Sequence, residues 1–160
     1  MTPAVSCTDT AVEVENNVAE ELLRRTFEIH GRDFENAGEQ SAEVTTILKD
    51  LDIDPNTILR VGVVAFEAEM NVVMYAHRAT LTFVLTDEEI AVEVADEGPG
   101  IPDIELAMQP GYSTASDEMR EMGFGYGLGL PNIKKNSDVF SLQSEVGKGT
   151  TIYSTVRLRS

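Results

Sequence analysis

Residues 57–76 read TILRVGVVAFEAEMNVVMYA, a mostly apolar run of twenty residues that no proline interrupts. Val61 to Phe66 alone suits a strand, because β-branched residues crowd it. The uninterrupted length argues instead for a buried helix, and Asp54-Pro55-Asn56 just before it is turn chemistry that suits a helix start. Downstream, Leu81 to Leu85 and Ile90 to Asp96 alternate about Thr86-Asp87-Glu88-Glu89, which predicts an antiparallel hairpin. Phe140 to Ser144 and Thr150 to Leu158 predict a second hairpin around Val146-Gly147-Lys148-Gly149. A long loop and a short helix, Pro131 to Ser137, lie between the hairpins. Upstream, residues 10–24 read as a short helix, 25–30 as a short strand, and 33–51 as a helix with Val44, Ile47 and Leu48 among its apolar contacts. Helices placed before and between antiparallel strands predict an α+β two-layer sandwich.

The chain has 160 residues, enough for one domain. It should bury about 70% of its extended surface, so no disulfide or metal is needed for folding. Twenty-eight acidic against 12 basic residues give a formal charge of −16. That field repels nucleic acid and anionic membrane surfaces, and it opposes phosphate unless backbone donors and a cation intervene. Cys7 is the single cysteine, which excludes an internal disulfide. No basic, then apolar, leader opens the chain, and no run has the length of a membrane-spanning helix. A cytoplasmic location is expected.

Nine of the 12 glycines fall between Gly98 and Gly149, so the C-terminal half is expected to carry the loops and the N-terminal half the scaffold. Within the long helix, Glu67 and Asn71 are four apart and emerge on one face. Burying them bare is costly, and a metal ion held through the amide oxygen would satisfy them; a face open to solvent would do so too. On the strand ending at Asp96, Ile90, Val92, Val94 and Asp96 share the inward face. A carboxylate there, beside Glu97-Gly98-Pro99-Gly100, can accept from an exocyclic amine such as that of adenine, although Asp-x-Gly is also ordinary turn chemistry. The run Gly123-Phe124-Gly125-Tyr126-Gly127-Leu128-Gly129-Leu130 frees several backbone N–H groups ahead of a helix start at Pro131, as a phosphate cradle or a flexible loop. It is neither a P-loop nor a Rossmann turn. Thr150, in Gly147-Lys148-Gly149-Thr150-Thr151, shares parity with Ile152 and Val156 and should face the same interior as Asp96, although the stretch also suits a simple glycine hairpin turn.

In this order the pieces resemble the GHKL ATP-binding superfamily of gyrase, the heat-shock chaperone ATPase, histidine kinases and MutL. Glu67-x-x-x-Asn71 is similar to its N box, Asp96-Glu97-Gly98-Pro99-Gly100 to its first glycine box, GFGYGLGL to its second, and GKGTT to its last motif. GPGIPDIELAMQPGYSTAS followed by GLGLPNIKK is most similar to stand-alone anti-sigma and RsbT-type switch serine kinases. The resemblance runs from about Arg25 to the C-terminus, leaving residues 1–24 as an N-terminal arm and 25–160 as a single ATP-binding kinase domain.

The resemblance implies a Bergerat-type fold, with helices on one face of a mixed, mostly antiparallel sheet, and ATP or ADP with Mg²⁺ as cofactors. By it, Asn71 binds Mg²⁺, Glu67 is the catalytic base, and Asp96 holds the adenine amino group. Gly98, Gly100 and Ile101 border the ring; Gly125, Gly127, Leu128 and Gly129 line the phosphates; Thr150 reaches Asp96 or adenine through water. The implied activity is a serine/threonine protein kinase acting on a small STAS-like partner. The alternative is a nucleotide-gated anti-sigma or partner-binding module whose lid presents Tyr112, Met119 and Met122. The implied partner is a STAS-domain antagonist, a sigma factor or a phosphatase, and the resemblance allows a homodimer. A histidine-kinase role finds no phosphoacceptor pattern around His30 or His77. Gyrase- and MutL-like members need a further domain, which a chain ending at Ser160 is not expected to carry. Two departures stand out: the stretch 113–125 is longer than a switch-kinase lid, and Met70 stands where those kinases tend to place arginine.

Overall fold

The 57–76 run is a helix. In the computed structural model, which describes residues 5–8, 19–123, 125 and 127–158, helix α2 spans Pro55–Tyr75. The Asp54 side chain accepts from Thr57 N at 3.1 Å and Pro55 occupies the first turn, so the start is capped as its sequence indicates. Val61, Val64, Ala65, Ala68 and Val72 are buried. Their small size lets the helix axis lie close over the sheet.

The other elements in chain order are β1 (Val5–Thr8), β2 (Leu23–His30), α1 (Glu39–Asp50), β3 (Arg78–Leu85), β4 (Glu89–Glu97), α3 (Ile104–Ala107), α4 (Asp117–Glu121), α5 (Gly129–Lys135), β5 (Val139–Glu145) and β6 (Gly149–Arg157). The strands form one sheet in the order β1-β5-β6-β4-β3-β2. The fold is α+β as expected, and the sheet is antiparallel at each described pairing. The expected hairpins pair Leu85 with Ile90 and Glu145 with Gly149. Alternation puts Leu81, Phe83, Val92, Val94, Phe140 and Leu142 in the core, against which α2 packs. Thr26 and Thr82, on the opposite face, share a hydroxyl hydrogen bond of 3.1 Å. Among the described residues no helix is long and apolar enough to cross a membrane.

Several boundaries differ from the sequence expectation. The helix expected over 33–51 begins only at Glu39. Asp33 Oδ1 accepts from Asn36 N at 3.3 Å, a local turn that competes with helix. Gly38 at the cap has φ +93°, which ends any continuation upstream. The strand expected at Arg25 starts at Leu23, and the helix expected at Pro131 starts at Gly129. Most of the helix expected over 10–24 lies outside the described residues, and Leu23 and Arg24 belong to β2. Helices α3 and α4 were hidden in the expected loop. Their caps are legible afterwards: Asp103 accepts from Leu106 N and Ser116 from Met119 N.

The first turn of α1 has no cap of its own. Glu69, on α2 and 1% exposed, supplies one from a distance. Its Oε1 accepts from Ser41 N at 2.8 Å, and its Oε2 from Gly38 N at 3.1 Å and Gln40 N at 3.3 Å. One carboxylate thus satisfies three otherwise orphaned donors and fixes α1 against α2. Glu69→Ala is expected to cost about 2–3 kcal/mol of unfolding free energy, the scale of a lost cap with charge-assisted hydrogen bonds. Denaturant titration of both proteins measures it, and a loss within experimental error contradicts the assignment.

Candidate functional site

One wall of the site is α2. Glu67 and Asn71 lie one turn apart and face the start of α5. A Cβ placed on Gly129 would stand 3.1 Å from Glu67 Oε2 and 3.5 Å from Asn71 Oδ1. Glycine at 129 therefore keeps open the space that the two polar side chains share. Asn132 Nδ2, one turn further along α5, donates to Glu67 Oε1 at 3.4 Å. Burial pushes the Glu67 carboxyl above its ordinary value, and the Asn132 contact offsets this in part.

The second wall is the end of β4. Asp96 Oδ1 accepts from Thr150 N at 2.9 Å, while the Thr150 hydroxyl meets Ser144 Oγ at 2.9 Å. Ser144 Oγ also accepts from Ile101 N at 2.7 Å, so one hydroxyl ties β5, β6 and the glycine turn together. Burial raises the Asp96 carboxyl, and the Thr150 N–H lowers it by less. Gly100 has φ +76°, and a Cβ there would stand 2.4 Å from Glu145 O. No other residue fits that turn without moving the β5–β6 hairpin. Gly98 lies behind the turn, buried against Ala76.

The third wall is the loop from Gly111 to Leu128. Its two limbs are stitched together: Gly111 N donates to Gly127 O at 2.9 Å, and Ser113 Oγ to Gly125 O at 2.5 Å. At Gly127, φ is +76° and a Cβ would stand 2.5 Å from Tyr112 O, so the limbs approach as closely as bare backbone permits.

These walls enclose a cavity of about 450 Å³. Of the residues expected at a site, Glu67, Asn71, Asp96, Gly100 and Ile101 line it, as do Gly125, Gly127, Leu128, Gly129 and Thr150. Gly98 does not. Phe124 and Tyr126 lie outside the described residues. Met119, expected on the lid's presenting face, is buried instead, while Tyr112 and Met122 are exposed. Asn132 also lines the cavity and was not anticipated, and Tyr112, expected on the lid's presenting face, lines it as well. Nor was Ser144, although its cross-strand pairing with Thr150 is the signal that places it. Met70, Met74 and Ile152 add apolar surface, and among the described residues no lysine or arginine lines the cavity. Among the described residues no three His, Cys, Asp or Glu side chains gather as a metal cage. A cation at Asn71 therefore needs oxygens brought by a ligand. Glu67 and the Ala76 backbone beside Gly98 are nine residues apart on the α2 sequence, about 13 Å along a helix axis. The cavity is long enough for an elongated ligand, with the Asp96 carboxylate at one end and the Glu67/Asn71 pair at the other.

Residues 57–160 match the family model described as histidine kinase-, DNA gyrase B-, and HSP90-like ATPase. The chain is 31% identical over 123 residues to the anti-sigma F factor of Geobacillus stearothermophilus, covering 72% of this chain and 81% of that protein. It is 31% identical over 117 residues to the serine/threonine-protein kinase RsbT of Bacillus subtilis (strain 168), covering 71% and 82%. A third relative, the anti-sigma F factor of Clostridium acetobutylicum, is 32% identical over 123 residues, covering 74% and 82%.

The raised Glu67 carboxyl has a consequence for stability. A group that binds its proton more readily folded than unfolded makes ionisation oppose folding. That opposition is absent below the ordinary value of 4.5, grows as pH rises to the folded value, and is constant above it. Glu67→Gln is therefore expected to raise the melting temperature of the ligand-free protein at neutral pH, with the gain shrinking as pH falls toward 4.5. A variant less stable than wild type at neutral pH contradicts this.

Proposed function

The chain belongs to the histidine kinase-, DNA gyrase B-, and HSP90-like ATPase family, and from that premise we propose that it is a protein serine/threonine kinase of the switch type. On this reading it transfers the γ-phosphoryl group of ATP to a hydroxyl on a small regulatory partner protein of the STAS type. The observation that carries the reading is the convergence of the Glu67/Asn71 pair, Asp96 and the glycine loop on one cavity. The name of the relative RsbT, a serine/threonine-protein kinase, supports the same class.

In this reading adenine lies at the Asp96 end. Asp96 Oδ1 is engaged by Thr150 N, which leaves Oδ2 to accept from the exocyclic amine. Ile101 and Met74 offer the ring apolar surface. The phosphates lie toward Gly125 to Gly129, where bare backbone N–H groups meet their charge. The space that a Cβ on Gly129 would fill, bordered by Asn71 Oδ1 and Glu67 Oε2, is a fitting seat for a divalent ion. Asn71 would hold Mg²⁺ there together with phosphate oxygens, and the ion would neutralise charge that this acidic chain cannot. Glu67 accepts the proton of the partner's hydroxyl as that oxygen bonds to the γ-phosphorus and ADP leaves. Burial raises its carboxyl above the ordinary value, which makes its carboxylate a better base than an exposed one.

A second reading is a nucleotide-gated binder with little turnover. Two relatives named as anti-sigma F factors support it, as do the exposed Tyr112 and Met122 on the lid. Phosphoserine or phosphothreonine on a bound partner separates the two readings.

Mg-ATP at 100 times its dissociation constant is expected to stabilise the wild type by about 2.7 kcal/mol in a thermal-shift assay. Asn71→Ala should lose most of that stabilisation, and EDTA should remove it from the wild type. Glu67→Gln should keep it while transfer to the partner falls by about 10²–10⁴-fold. Unchanged transfer by Glu67→Gln would defeat the assignment of the base.

A further inference from the structure

Helix α2 is apolar on more sides than the core requires. Its sheet side carries Val61, Ala68 and Val72, and Gly62 meets Thr45 of α1 at close range. On the α5 side, Glu67 and Asn71 face Gly129, and Arg60 pairs with Asp138 at 3.3 Å. A fourth stripe, Leu59, Val63, Phe66 and Met70, follows the i, i+4, i+7, i+11 spacing of one helix face. Met70 is buried in the nucleotide cavity, but Leu59 is 64% and Phe66 41% exposed.

The exposed part of that stripe floors a groove of about 440 Å³ between α1 and α2. Its lining includes Thr45, Lys49, Leu59 and Val63, and it shares Phe66 and Glu67 with the nucleotide cavity. The groove therefore opens onto the carboxylate that takes the acceptor's proton. Among the described residues its charged side chains are Lys49, in the last turn of α1, and Glu67. Lys49 forms no ion pair with any described residue, unlike Arg60 beyond the groove's edge.

We propose that this groove docks the acceptor segment of the partner protein: an extended stretch with an acidic side chain for Lys49, an apolar anchor over Leu59 and Val63, and the acceptor hydroxyl at Glu67. The inference rests on the kinase reading and adds the partner's local chemistry to it. Leu59 and Glu67 are eight residues apart, about 12 Å along the helix. An extended strand covers that distance in about four residues, which sets the spacing from anchor to hydroxyl. Lys49, which forms no ion pair with any described residue, selects an acidic flank within an otherwise acidic protein.

The test uses the full chain with Mg²⁺ and a non-hydrolysable ATP analogue. The probe is a synthetic peptide of two aspartates, a leucine, three alanines and a serine, followed by methyl and amide NMR. Shifts are expected at Leu59, Val63, Phe66 and Lys49. Replacing the peptide's leucine by asparagine, or Leu59→Asp in the protein, should weaken binding about tenfold or more, the scale of one leucine side chain left unburied. Lys49→Glu should weaken it about two- to fivefold. With Mg-ATP, transfer to the peptide's serine should follow the same order. Peptide shifts elsewhere, no shift in the groove, or undiminished binding to Leu59→Asp would each overturn the proposal. So would a wild-type dimer that Leu59→Asp turns into monomers, because a second copy would then cover the groove. Loss of Mg-nucleotide binding itself would instead overturn the kinase reading, and the thermal shift separates the two failures.

Discussion

The buried carboxylate of Glu69 holds α2 to α1 through three backbone N–H groups that no nearer residue satisfies. With that bond made, α2 has a fixed rotation about its own axis. Val61, Ala68 and Val72 then face the sheet, and Glu67 and Asn71 face the start of α5. Turning the helix by one residue, about 100°, would bury one polar pair and expose part of the core. The same helix is thus the centre of the fold and one wall of the site. The cap is what lets it serve as both.

Charge at the site is arranged at the expense of stability. Burial raises both Glu67 and Asp96, so each ionised carboxylate opposes the folded state that holds it. Among the described residues the cavity lining supplies no cation to offset them. Polar contacts do part of that work: Thr150 N for Asp96 and Asn132 for Glu67. A ligand that brings an amine to one end and a phosphate-bound metal to the other would relieve both costs on binding. The bare backbone at Gly100 and Gly127 belongs to the same economy of space, since a side chain at either would collide with the opposite strand or limb.

Much of this was legible in the sequence because it depends on local periodicity. The two hairpins, the long helix and the inward parity of Asp96 and Thr150 follow from spacing alone. The glycine run and the N-box-like pair were visible because their residue types are unusual for helix and hairpin. What escaped depends on contacts between distant residues. Glu69 reads as an exposed helix glutamate until α1 is packed beside it. Ser144 becomes a hub only through its register with Thr150. The start of the 33–51 helix was misplaced because a side-chain turn at Asp33 and the cap from Glu69 decide it together. The lid helices were missed because α3 and α4 are only four and five residues long, too short for periodicity to register.

On the proposed kinase reading, an adenine nucleotide would occupy the cavity with its ring amine on Asp96. Isothermal titration of Mg-ATP into the wild type and into Asp96→Asn tests that claim most directly. Heat with one-to-one stoichiometry is expected for the wild type, and a large loss of affinity in the variant, whose far-ultraviolet circular dichroism stays native. No heat with the wild type, or equal affinity in the two proteins, would contradict it.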